Sequence, residues 1–276
     1  MEFAYESRSQ SFATKFLTSQ GDALVLATRP PNSQGTRFMI GEFSVHNRSG
    51  SICFVGMGGR FPISLWSLGV WDESEYAAGT VYASETTDAQ SAATGDVNLD
   101  TVTTNGDGII IGCDVPFNIA SIQVSQASSA GTVWQMYYSI TTAGTGFSSN
   151  FTEITNSYVA PSFGTTGERL VWFEPPTDWV KASSATSIIN RHGLTVPSQY
   201  LLVIKSTTAP DTTRGQMSLA TLGRIFMSAE GIPDNGVLTN IGGMDIALPP
   251  QCDAICAAIS TANPQNRVDL KYRYSG

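Results

Sequence analysis

The chain has 276 residues, of which 41% are hydrophobic and only 14% charged, with a net charge of −8 and a pI near 4.7. Ordinary soluble domains carry roughly 25% charged residues; here Ser, Thr, Gly and Asn take their place, which suits a surface packed against neighbours. An acidic chain with no Lys/Arg run argues against a nucleic-acid partner.

The first residues, "MEFAYESRSQ", lack the basic start and apolar stretch of a signal peptide. No apolar run approaches the roughly 18 residues of a membrane helix. The expectation is a soluble protein made in a cytoplasm, with no membrane partner. The first 20 residues nevertheless place Phe3, Tyr5, Phe12, Phe16 and Leu17 among polar neighbours. Idle tails are poor in such residues, and aromatic side chains are the usual anchors of interfaces. These five are the candidate capsid or subunit interface. Phe12 and Phe16 at i, i+4, with Gly21 beyond, also predict a short helix over 11–21.

Strands are predicted near 22–28, 37–47 and 51–57. In "FSVHN", Phe43 and Val45 share one face, and Ser44 and His46 the other. A Trp-rich stretch, "FPISLWSLGVW", follows. Residues 77–96 are small and polar and read as a surface connector. Further on, "ASIQVS" sets Ile122 and Val124 opposite Ser121 and Gln123. "VWQMYYSI" sets Trp134, Met136, Tyr138 and Ile140 opposite Val133, Gln135, Tyr137 and Ser139. This period of two marks half-buried antiparallel strands. "YLLVIKS" (200–206) is apolar throughout and reads as a strand buried on both faces. Asn105-Gly106 and Asn235-Gly236 are tight-turn signals. "DAICAAIS" (253–260), between Pro249-Pro250 and Pro264, predicts a helix. "RVDLKYRYS" alternates again and is expected to pair with the N-terminal region, since a lone strand is unstable.

The fold expected is all-β: an antiparallel β-sandwich, jelly-roll-like, as the main domain, with a smaller β-rich N-terminal region and a C-terminal extension. The divisions are 1–76 (arm and β-rich region), 77–96 (connector), 97–228 (sandwich) and 229–276 (extension with short helix and final strand).

In "LVWFEPPTDW" (170–179), Val171 and Phe173 point one way, and Leu170 and Trp172 the other. Pro175-Pro176 must end the strand, because proline has no N–H to donate. Trp179 then either folds back as a plug over the end of the sandwich or, with Tyr137 and Trp172, forms an exposed platform for sugar.

Little in the sequence suggests chemistry. His46 follows the polar face of a strand, and His192 sits in a turn. No hydrolase elbow, HExxH or phosphate loop occurs. Asp96, Asp100, Asn105 and Asp107 are oxygen donors without EF-hand spacing and read as a solvated loop. Cys252 and Cys256 would make half a zinc site on a helix. Asn47 and Asn150 head glycosylation-type triplets. No catalytic residue, metal site or cofactor is expected.

Four segments in order, "DGIIIGCDVPFNIASIQVS", "WQMYYSITTAGTGFSSNFTEI", "LVWFEPPTDW" and "PSQYLLVIKS", resemble the β-sandwich domain of tailed-bacteriophage virion proteins over roughly 76–206. The resemblance implies a non-enzymatic capsid decoration (cement) protein on the outside of the head. Such a protein would bind the major capsid protein, bridge capsomers and form a homotrimer at local threefold sites. The alternative is a tail or receptor-binding protein with a carbohydrate-binding sandwich.

Overall fold

The computed structural model describes residues 11–18, 22–25, 37–71, 82–91, 97–100, 106–140, 147–182, 198–208, 212–225, 230–247, 254–259 and 263–275. In chain order its strands are β1 (Ser11–Phe16), β2 (Ala23–Val25), β3 (Arg37–His46), β4 (Cys53–Arg60), β5 (Trp66–Trp71), β6 (Tyr82–Ser84), β7 (Val97–Asn98), β8 (Gly108–Cys113), β9 (Ile119–Gln126) and β10 (Val133–Ser139). After one helical turn, α1 (Phe147–Asn150), come β11 (Phe151–Glu153), β12 (Ser157–Val159), β13 (Gly167–Phe173), β14 (Lys181–Ala182), β15 (Gln199–Thr208), β16 (Gln216–Ile225), β17 (Glu230–Ile232), β18 (Val237–Ala247), β19 (Ala254–Ile259) and β20 (Arg267–Ser275). The chain forms two compact units. One joins Met1–Arg60 to Ile225–Gly276; the other is Phe61–Arg224.

The second unit is the expected antiparallel sandwich. One sheet runs β11-β10-β15-β8-β5-β6, with β14 beside β15; the other runs β12-β13-β9-β16, with β7 beside β16. Their facing side chains make one core that includes Leu68, Ile109, Ile111, Ile122, Val124, Trp134, Met136, Val171, Phe173, Leu202, Ile204 and Leu222. The period of two holds through the middle of β9 and β10. In β9, Ala120, Ile122 and Val124 are buried while Ser121, Gln123 and Ser125 are half-buried. In β10, Trp134, Met136 and Tyr138 are buried and Gln135 and Tyr137 are not. The continuous apolar run of β15 is buried on both faces, as its pattern predicts. It lies between β10 and β8, and a Cβ on Gly108 of β8 would strike the Ile204 carbonyl of β15, so only glycine admits this approach. Each fully buried Leu, Ile or Phe contributes about 1.5–3 kcal/mol.

Trp179 is a plug. It is 7% exposed and packs against Phe117, Phe173, Tyr138 and Tyr200, and its Nε1 donates to the Leu201 carbonyl at 3.1 Å. Trp172 points away from the core and is covered by Tyr158, 5.0 Å between ring centroids. Of the stretch read as a surface connector, Tyr82–Ser84 pairs with β5 as β6, and Ala89, in the helical turn Asp88–Gln90 that follows, is fully buried in the core.

In the first unit, one sheet runs β1-β20-β3-β18; a second set runs β4-β19-β2, with β17 on β4. The final strand pairs with the N-terminal region, as expected. Both helices predicted from the sequence are strands instead. "AICAAI" is β19, held between β4 and β2 with Ala254 opposite Gly58 and Cys256 opposite Gly56. A helix this short is marginal in water, whereas a strand with a neighbour on each side satisfies its backbone on both edges. Here pairing overrides the alanine helix propensity. Residues 11–16 pair with β20 from Ser11 opposite Tyr272 to Phe16 opposite Arg267. The i, i+4 spacing of Phe12 and Phe16 is also two strand periods, so it fits either element.

Candidate functional site: a cation-lined cleft on the first unit

Antiparallel register builds a row across the four-stranded sheet. Phe16 of β1 lies opposite Arg267 of β20, which lies opposite His46 of β3, which lies opposite Val237 of β18. Directly opposite residues share a face. The row two residues further in carries Thr14, Asp269 and Ser44. The other face of these strands holds Val45 and Val268, 0% and 1% exposed. One face is therefore core, and the other is open, with polar side chains beside the exposed Phe16 and Val237.

Two buried asparagines fix the loops at this end. Asn47 Nδ2 reaches the carbonyls of Ser51, Ile232 and Pro233 at 2.6, 2.8 and 3.1 Å, and its Oδ1 accepts from Ser49 N and Oγ. This ties the β3–β4 turn to the β17–β18 turn, where Asn235 takes a positive φ of 60° as the Asn-Gly signal predicts. Asn266 Oδ1 accepts from Arg48 N at 2.6 Å, and its backbone carbonyl accepts from Leu17 N at 3.0 Å. Burying an unpartnered amide costs about 1–3 kcal/mol, so each satisfied asparagine specifies one loop arrangement.

The result is a cleft of about 350 Å³ lined by Phe16, His46, Arg48, Pro264, Gln265 and Arg267. Arg48 Nη1 donates to Asn235 Oδ1 at 2.8 Å. Arg267 Nε lies 2.7 Å from Asp269 Oδ2. Phe16 is 53% exposed beside these cations.

Ser44, His46 and Asp269 meet here, but not as a catalytic relay. A relay needs the serine on one ring nitrogen and the carboxylate on the other. In this structure Ser44 Oγ is 3.2 Å and Asp269 Oδ2 3.9 Å from the same atom, His46 Nε2. Asp269 is also engaged by Arg267, by Thr14 Oγ1 at 2.9 Å and by Ser44 Oγ at 3.4 Å. The cluster holds Arg267 in place and lacks the arrangement of a relay, with serine and carboxylate on opposite ring nitrogens.

Of the five interface candidates, Phe3 and Tyr5 lie outside the described residues, and of Phe12 only the backbone, in β1, is described. Phe16 is exposed at the cleft, whereas Leu17 is fully buried in its own chain and presents no free surface. The sequence reading missed Arg48, Gln265 and Arg267. Arg48 lies more than 200 residues before Gln265 and Arg267 along the chain, and the register of β20 on β3 and the Arg48–Asn266 bond bring them together.

The remaining candidates resolve as follows. Asp100 and Asp107 are each 2% exposed rather than solvated, while Asp96 and Asn105 lie outside the described residues. Asp100 accepts from Ser128 Oγ at 2.7 Å and Gly215 N at 2.8 Å. Burial still raises its pKa, against the lowering effect of those bonds and of Arg214. Among the described residues no group of three His, Cys, Asp or Glu could hold a metal ion. Cys256 lies on a strand rather than a helix, and Cys252 and His192 fall outside the described residues. Asn47 and Asn150 are both fully buried, so neither triplet presents an acceptor. Among the described residues no helix is long and apolar enough to cross a membrane.

No protein-family model matches the chain, and no curated protein matches it. Two solved viral structures show weak similarity. The mavirus penton protein is 11% identical, over 97% of this chain and 99% of that one, with a TM-score of 0.15. The structure of infectious bursal disease virus Gx strain is 7% identical, over 99% of this chain and 82% of that one, also with a TM-score of 0.15. At that TM-score neither likeness carries an argument.

Proposed function

We propose that the protein is a non-enzymatic virion component of the capsid-decoration type, attached through the open face of its first unit. The observation that carries this reading is the pairing of exposed Phe16 with Arg48 and Arg267 in a cleft whose loops are locked by Asn47 and Asn266. Locked loops present an adhesive surface without a reordering cost on binding. The four segments that carry the phage-virion resemblance supply β8, β9, β10, β11, β13 and β15, strands of the second unit's sandwich. The low charge of the chain fits a part that spends its life in contact with neighbours. Many weak copies on one shell hold it together through effective concentration.

The carbohydrate-binding alternative named Tyr137, Trp172 and Trp179 as its platform. Both tryptophans are buried, and the Tyr137 ring packs on Phe147 at 5.0 Å and carries Lys205 over its face at 4.8 Å. That reading has lost its anchor.

The test is to image heads of the encoding virus made with and without this protein, then add the purified chain back. The expected result is a repeating surface density that disappears in its absence, returns on addition and raises the temperature at which heads open. Its presence only in tails, or bare heads of unchanged stability that refuse the added chain, would overturn the proposal.

A further inference from the structure

We infer that the attachment face is switched on last in folding, when the two ends of the chain meet after the second unit has closed; this rests on the proposed attachment role and adds how that site is regulated. The face is built from two segments far apart in sequence. Within the first unit, every ladder among the described residues joins a strand of 1–60 to a strand of 225–276: β1 with β20, β3 with β20 and β18, β4 with β19 and β17, and β2 with β19. Consecutive strands usually pair with each other. Here β3 and β4, joined by residues 47–52, lie in different sheets, and so do β17 and β18, joined by 233–236. The cleft repeats the pattern, with Phe16, His46 and Arg48 from one segment and Pro264, Gln265 and Arg267 from the other. Both asparagine locks cross between the segments as well: Asn47 reaches the carbonyls of Ile232 and Pro233, and Asn266 holds Leu17 and Arg48. Among the described residues, β1 and β3 therefore have no strand partner until β18 and β20 are made, and a lone strand is unstable.

The second unit needs neither segment for its own ladders, whose registered pairs all fall within 66–223. Several join near neighbours, β10 with β11, β12 with β13 and β5 with β6. Phe61 N donates to the Leu222 carbonyl at 2.9 Å, so closing this unit brings its two ends together. That shortens the loop the first unit must close, which at its longest sets Ser11 opposite Tyr272. Synthesis runs from the N-terminus and domains fold as units, so residues 61–224 are complete before β18 and β20 exist. The sandwich forms first. The sheet β1-β20-β3-β18 follows, and with it the row Phe16, Arg267, His46 and Val237. A chain that cannot place its last strand carries a folded sandwich and no attachment face.

The test is pulse-labelled hydrogen exchange on the full chain during refolding. Amides of β8, β9 and β15 should gain protection about tenfold or more faster than those of β3 and β20. At equilibrium in rising denaturant the first unit should open alone, and no condition should open the sandwich while β3 and β20 stay protected. Val268→Asp puts a charge on the core face of β20, where Val268 is 1% exposed and lies opposite Val45. It should abolish protection of β1 and β3 and leave β8, β9 and β15 as in the wild type. If that variant gives no soluble protein, Val268→Ala should open β1 and β3 at lower denaturant with the sandwich unchanged. Protection of all strands in one step, earlier protection of β3 and β20, or loss of the sandwich in Val268→Ala would overturn the inference. Virion heads added at intervals during refolding separate it from the attachment reading: they should retain chains only after β3 and β20 are protected. Retention before that step would contradict the inference. Protection in the stated order with no retention at any time would uphold the order of assembly and overturn the attachment reading instead.

Discussion

The two units hold themselves together differently. The second is secured by apolar volume: two sheets closed on one core, with Trp134, Phe163, Phe117 and Trp179 filling its interior. The first, among its described residues, buries fewer large side chains, Leu17, Val45, Val55, Ile232 and Val268 among them, and sets its loops with the amides of Asn47 and Asn266. Apolar packing is non-directional and gives most of the free energy of a fold. Buried hydrogen bonds contribute less on balance but are geometrically exacting. The contrast teaches why the candidate site lies on the first unit: a binding face needs side chains aimed, and the asparagine bonds aim Arg48.

The largest expected effect strikes the apolar unit. Trp134→Ala should cost about 3–5 kcal/mol in chemical denaturation. Its Nε1 has no hydrogen-bond partner among the described residues, so the loss is one of packing. An unchanged midpoint would break the claim that this unit stands on packed volume. Asn47→Ala should cost less, about 1–3 kcal/mol, by leaving buried carbonyls unpaired. Hydrogen exchange should then quicken at 47–51 and 232–236 while β8 and β15 stay protected; uniform loss of protection would contradict the division of roles.

A subtler test is the buried charge of Asp100. Its folded pKa lies above its ordinary 3.8, so the folded state binds the proton more tightly, and stability falls as pH rises from the unfolded value through the folded one. Asp100→Asn removes that charge while Ser128 and Gly215 keep partners. The wild type should therefore gain on the variant as pH drops from 7 toward 4. A wild type that instead lost ground to the variant on acidification would reverse the sign. The smallest effect belongs to the open face: Asp269→Asn should cost under about 1 kcal/mol, since partly exposed ion pairs contribute little. A larger cost in thermal melts would mean that the polar face is structural rather than adhesive.

Much of this was legible in the sequence where burial is one-sided. Alternation in "ASIQVS" and "VWQMYYSI" gave the strands and their faces, and Pro175-Pro176 foretold the return of Trp179. The chain misled where a short segment fits two periods. Phe12 and Phe16 share a face as helix or strand, and "AICAAI" carries alanines that a paired glycine-rich strand accepts as readily as a helix does. The cleft was illegible because His46 and Arg267 meet only through the β3–β20 register, and no spacing records a register between distant strands.

The central claim is that the second unit holds the fold while the first makes the attachment. Hydrogen exchange of the full chain, free and bound to the virion heads on which the proposed function places it, tests it most directly. The account predicts new protection at residues 16–18, 46–50 and 263–267, and no change in the core strands β8, β9 and β15. Protection confined to other faces of the sandwich, with 46–50 and 263–267 unchanged on bound heads, would contradict it.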